Sequence, residues 1–122
     1  MTIRKTEGAY VIPLSFSEMH MSVAMVGDDC QITVYGGDTP HIGSVVLAVP
    51  RESLSGDGTL SATSSVINVV GHKDEAVLRL LAEKCAAAWN NTVVCSGGFH
   101  VDNISQAQID EVVDACERIE WD

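Results

Sequence analysis

The sequence predicts an α+β fold: a mainly antiparallel sheet of about six strands with two helices packed on one face, in a single domain over residues 1–122. Three observations carry that prediction. Apolar and polar side chains alternate with a period of two through the first half of the chain, as half-buried strands require. Two later segments space their apolar residues at three and four, the pattern of an amphipathic helix. The order of elements, five strands, helix, strand, helix, lacks the regular alternation that builds a doubly wound parallel sheet. A chain of 122 residues with 46% apolar content is large enough to bury a core without disulfide or metal staples.

The elements follow in order. Tyr10 to Phe16 and Met19 to Met25 alternate, and Pro13, which has no N–H for a strand ladder, puts the first at a sheet edge. After the turn Gly27-Asp28-Asp29, Cys30 to Tyr35 alternates again, and so short a connection implies an antiparallel hairpin. Val45-Val46-Leu47-Ala48-Val49 does not alternate, so both of its faces should be covered, as in a central strand. The downstream helices can cover one face of the sheet, and nothing else in the chain is long enough to cover the other. A homo-oligomer, most simply a dimer, is the expected solution.

Pro50 to Thr59 reads as a polar loop, and Leu60 to Val70 as extended chain. From Asp74 to Asn90 the apolar residues Val77, Leu78, Leu81, Cys85, Ala88 and Trp89 form a helical stripe, with Glu75 and Arg79 paired at i,i+4. Asn90-Asn91 ends this helix, Thr92 to Cys95 makes a short strand, and Gly97-Gly98 is expected to break it. Ser105 with Gln108 forms a capping box for a second helix, whose buried stripe is Ile109, Val112, Val113, Cys116 and Ile119.

Charge and cysteine usage exclude several function classes. With seven Lys or Arg against seventeen Asp or Glu and a net charge of -10, the surface repels polyanions, so a nucleic-acid partner is not expected. Cys30, Cys85, Cys95 and Cys116 show no C-x-x-C spacing, and they read as buried reduced thiols of a cytoplasmic protein. No apolar run approaches the roughly 20 residues of a membrane span. The segment after Met1 has no signal-peptide h-region, so neither export nor a membrane is expected.

Three of the four histidines stand in glycine-flanked polar clusters at the ends of apolar runs: Gly36 to Gly43 around His41, Gly71 to Glu75 around His72, and Gly97 to Asn103 around His100. His72-Lys73 directly precedes the first helix, where unpaired amides and the helix dipole favour an anion. Lys73 would hold a phosphate or carboxylate there, or would only balance Asp74 and Glu75. His100 and Asp102, two apart in extended chain, fall on one side, so the carboxylate can orient the imidazole; a loop histidine beside a turn-forming Asp-Asn is the plainer reading. In the first cluster, with Asp38 and His41, glycines let a ligand approach the main chain, or simply form a strand-to-strand loop. His41, His72 and His100 converging with an aspartate would also suit a divalent metal. No two of them have the i,i+4 spacing of a helix-borne metal motif.

Together, Gly36-Gly37-Asp38-Thr39-Pro40-His41-Ile42-Gly43, Gly71-His72-Lys73-Asp74 and His100-Val101-Asp102-Asn103 resemble the small D-type subunit encoded with UbiD-like non-oxidative hydroxyarylate decarboxylases, such as gallate or vanillate decarboxylase. This is the LpdD-like prenylated flavin chaperone family, and the resemblance runs from about Asp29 to Ile104. It implies an accessory protein that carries or delivers prenylated FMN to the large decarboxylase subunit and has no complete decarboxylase site of its own. It also implies a fold similar to that of small proteasome-assembly chaperones. The positions it marks for the cofactor are Asp38, His41, His72, Lys73, His100 and Asp102, and for stacking only Phe99 and Tyr35 lie near the clusters. Two other readings remain open at this point: a small metal-dependent enzyme built on the same histidines and an aspartate, and a structural interaction module whose clusters only form turns.

Overall fold

The alternating segments fold as strands and the segments spaced at three and four fold as helices. The computed structural model describes residues 1–69 and 75–122. In chain order it contains β1 (Thr2–Ile3), β2 (Gly8–Pro13), β3 (Glu18–Val26), β4 (Asp29–Gly37), β5 (Ser44–Glu52), β6 (Leu60–Asn68), α1 (Glu75–Trp89), β7 (Val93–His100), α2 (Gln106–Glu117) and β8 (Glu120–Trp121). Six of the strands form one sheet in the order β2-β3-β4-β7-β5-β6. All its pairings are antiparallel except β4 with β7, which run parallel. The fold is therefore α+β, with Pro13 on an edge strand as its missing N–H demands.

Alternation decides which face each side chain occupies. Met19, Met21 and Val23 of β3, Cys30, Ile32 and Val34 of β4, Val93 and Cys95 of β7, and Val46 and Ala48 of β5 are all buried under the helices. Their neighbours along each strand point the other way. Gly27, at a φ of 61°, provides the left-handed residue of the tight β3–β4 turn. On β5 the two faces differ within the single chain. Val45, Leu47 and Val49 are exposed, so the strand does alternate in burial, although every residue in that stretch is apolar. Its position is interior, between β7 and β6, but one of its two faces is left uncovered by the described residues.

The helices pack side by side on the buried face. In α1, Leu78, Leu81, Ala82, Cys85, Ala86 and Trp89 are buried. Ala88, expected in this stripe, is exposed, because at 100° per residue it falls just outside the arc that runs from Leu81 to Ala86. The Glu75–Arg79 pair forms at 3.3 Å, and Lys84 of α1 reaches Glu117 of α2 at 2.9 Å. The Ser105–Gln108 capping box is present, with both reciprocal hydrogen bonds made. Ile109, at the other end of its stripe, is 38% exposed.

A small parallel ladder ties the termini together: β1 pairs with β8, Thr2 opposite Glu120 and Ile3 opposite Trp121. Ile3 is fully buried, and Trp121 meets Trp89 edge-on at 5.5 Å. All four cysteines are free and buried. Burial raises the thiol of Cys95 and pushes that of Cys116 up to about 12. Cys30 and Cys85 lie 3.8 Å apart. The hydrogen bond from the Cys85 thiol lowers Cys30 and raises Cys85 itself.

Candidate functional site

The site begins with glycines that let two parallel strands meet at their C-terminal ends. Gly37 has a φ of 80°, and a Cβ there would strike the carbonyl oxygen of His100. Gly97, at 133°, would carry a Cβ into the carbonyl of Val34. Side chains at these positions would force β4 and β7 apart. The glycines therefore do not break β7, as the sequence suggested; the strand runs on to His100. Close approach lets the Asp38 amide donate to the His100 carbonyl at 2.7 Å, while Asp38 Oδ2 accepts from the Asp102 amide at 2.9 Å.

Because β7 lies between β4 and β5, the loop joining them must cross the end of β7. His41, in that loop, sits against Gly98: a Cβ on Gly98 would lie 2.5 Å from His41 Nε2. His41 Nδ1 donates to the Thr39 carbonyl at 3.0 Å, which in the neutral ring leaves Nε2 as an acceptor. The His100 ring meets the His41 ring edge to face, centroids 6.3 Å apart. His100 Nε2 donates to Asp102 Oδ1 at 2.9 Å, so the carboxylate fixes that imidazole as the i,i+2 spacing implied. Both groups are about half exposed or more, so solvent screens the pair and its work is orientation.

Below the two imidazoles lies a cavity of about 510 Å3 between the β4–β7 end and the helices. Val34, Val77, Leu78, Val112 and Val113 form its walls, and His41, His100 and Asn103 supply its polar groups. Phe99 is the aromatic in the lining and is held edge-on by Phe16 at 6.3 Å. The volume lies within the roughly 300 to 1,000 Å3 of small-molecule sites. Ala76 and Val77, in the first turn of α1, also line it. The start of that helix therefore borders the cavity, where its dipole favours an anion.

Four of the six expected site residues are thus brought together: Asp38, His41, His100 and Asp102. His72 and Lys73 lie outside the described residues. Tyr35, suggested for stacking, is on the other side of the sheet from Val34 and stacks on His20 at 5.1 Å; only Phe99 of the two aromatics reaches the cavity. Among the described residues no group of three His, Cys, Asp or Glu side chains is arranged to hold a metal ion. Sequence reasoning missed the apolar walls, which it assigned to ordinary core stripes. A signal was present in Val101 and Ile104, apolar residues in a segment that leaves the sheet before α2 and both in the lining.

No helix among the described residues is long and apolar enough to cross a membrane. A search of curated proteins returns no match. A family model described as a prenylated flavin chaperone LpdD-like domain matches residues 16–120, which include the glycine-assembled strand ends, both imidazoles and every wall of the cavity. The chain therefore belongs to the LpdD-like prenylated flavin chaperone family.

Proposed function

We propose that this chain holds prenylated FMN in the cavity beneath His41 and His100 and delivers it to a UbiD-like non-oxidative hydroxyarylate decarboxylase. The observation that carries the reading is an apolar cavity of about 510 Å3 rimmed by two oriented imidazoles. A prenylated flavin has an apolar fused-ring end and a charged phosphate end. Valine walls and Phe99 suit the ring system, while the imidazole of His100 and the side-chain amide of Asn103 set polar groups at its edge. The phosphate belongs at the start of α1, where Lys73 and His72 would meet it. The flavin supplies the electron-accepting ring that the decarboxylase uses; this chain's residues bind it, orient it and keep water from it. With a net charge of -10, the outer surface suits a partner that presents a basic patch.

Titration with prenylated FMN, followed by flavin fluorescence, tests the holding step. Val113→Phe, which fills the cavity, should weaken binding by about tenfold or more, equivalent to ~1.4 kcal/mol, with an unchanged circular dichroism spectrum. His100→Ala should weaken it less. Absence of binding by the natural chain would overturn the reading. Co-expression with the large decarboxylase subunit tests delivery: flavin content and activity of that subunit should rise when this chain is present, and equal values with and without it would rule delivery out.

A further inference from the structure

The sheet has a second face that no described residue of the chain covers. Val45, Leu47 and Val49 of β5 are 38%, 43% and 47% exposed, and Ile67, paired across from Val45 on β6, is also exposed. Register places Thr33 and Ser96 of the central strands on the same side. Carboxylates and arginine occur on this face only near strand ends, where Glu18 and Asp29 begin β3 and β4 and Arg51 is next to last in β5; His20 of β3, beside Glu18 at 3.5 Å and stacked on Tyr35, is the titratable group further in among the described residues. The outward side of the helix layer is different, carrying exposed Asp110, Asp114 and Glu117.

We infer that this open face is the interface with a second copy of the same chain, packed sheet on sheet about a two-fold axis. Charge is the first argument for that occupant. Two chains of net charge -10 repel one another through most approaches, and the uncharged interior of this face is where they can meet without setting carboxylate against carboxylate. An enzyme partner attracted by this chain's acidity would instead be drawn to the surfaces that carry the acids. Area is the second. Six strands spaced about 4.8 Å apart, four of them with nine residues rising about 3.4 Å each, make a face of at most roughly 24 by 30 Å. That is close to the ~800 Å2 each partner buries in a stable interface. An apolar strip on one strand is also self-complementary when two twisted sheets stack in near alignment. The inference does not depend on the flavin site, which lies on the helix side of the sheet.

Light scattering coupled to size-exclusion chromatography of the full chain decides the matter. The natural chain should run at twice its 13.0 kDa mass. Leu47→Glu and Val49→Lys should each run at 13.0 kDa with unchanged circular dichroism and unchanged flavin binding, because both residues face solvent in the single chain. A monomeric natural chain overturns the inference. So does a dimer that persists in both variants, which would put the contact elsewhere. A monomer whose binding to the decarboxylase is lost in Leu47→Glu would give the face to the enzyme, and likewise overturns it.

Discussion

The layer between the sheet and the helices is filled at one end and hollow at the other. At the end where α1 finishes, Cys30, Cys85, Trp89 and Val93 are 2%, 0%, 8% and 0% exposed, and Trp121 closes the space edge-on. At the end where α1 begins, Val34, Val77, Val112 and Val113 surround about 510 Å3, and Ile109 is left 38% exposed. The same helices and the same strands make both ends. Side-chain size contributes to the difference: five valines stand in the lining of the hollow end, whereas the closed end receives two indoles.

The contrast breaks most visibly under truncation. Trp89→Ala at the filled end should lower unfolding stability by about 3–5 kcal/mol, since it removes a large buried side chain. Ile109→Ala at the hollow end should cost less than about 1 kcal/mol, because that side chain has little to lose. Urea denaturation of the two variants checks both, and equal costs would erase the distinction. A smaller effect comes from the cap of α2, which fixes one wall of the cavity. Ser105→Ala should cost about 1 kcal/mol and weaken flavin binding in parallel, measured in one sample by melting and titration.

The smallest effect is at the surface contact that ties α2 to the β2–β3 turn. Glu111 accepts from the Ser15 amide and hydroxyl, both at 2.6 Å, and these bonds hold its carboxyl below the usual carboxylate range. A carboxyl lowered in the folded state stabilises it above the unfolded value, and that contribution is lost as pH falls through the folded value. Glu111→Gln should therefore melt slightly lower than the natural chain at neutral pH, with the gap closing in acid. A gap that is constant across pH would show that the hydrogen bonds, and not the charge, make the contact.

Much of this arrangement is legible in the residues, and the exceptions have physical reasons. Strands β2 to β4 announce themselves by alternation, β5 by an unbroken apolar run, α1 and α2 by their stripes, and the capping box by Ser105 and Gln108. The β1–β8 ladder does not, because two residues carry no periodicity. The stretch from Val45 to Val49 shows no alternation because its residues are apolar on both the helix side and the open side of the sheet. The glycine-flanked clusters single out His41, His100, Asp38 and Asp102 as candidates, and the structure places these four near one another. Nothing local says that β7, 56 residues after the end of β4, will slip in beside it; parallel pairing is a long-range fact. The cavity is equally silent, since a valine lining a space and a valine filling one occupy the same position in a stripe.

That late insertion of β7 has a consequence in time. Strands β4 and β5 are neighbours in sequence but never touch in the sheet; β7 separates them. A ribosome therefore releases two hairpins, β3–β4 and β5–β6, that can form early yet have no shared neighbour until the last third of the chain emerges. Pairings this distant in sequence are slow to close. The meeting of His41 with His100, and the cavity beneath them, come into being at that same closing step. The space beneath the two imidazoles therefore exists only in a chain whose last third has emerged and paired.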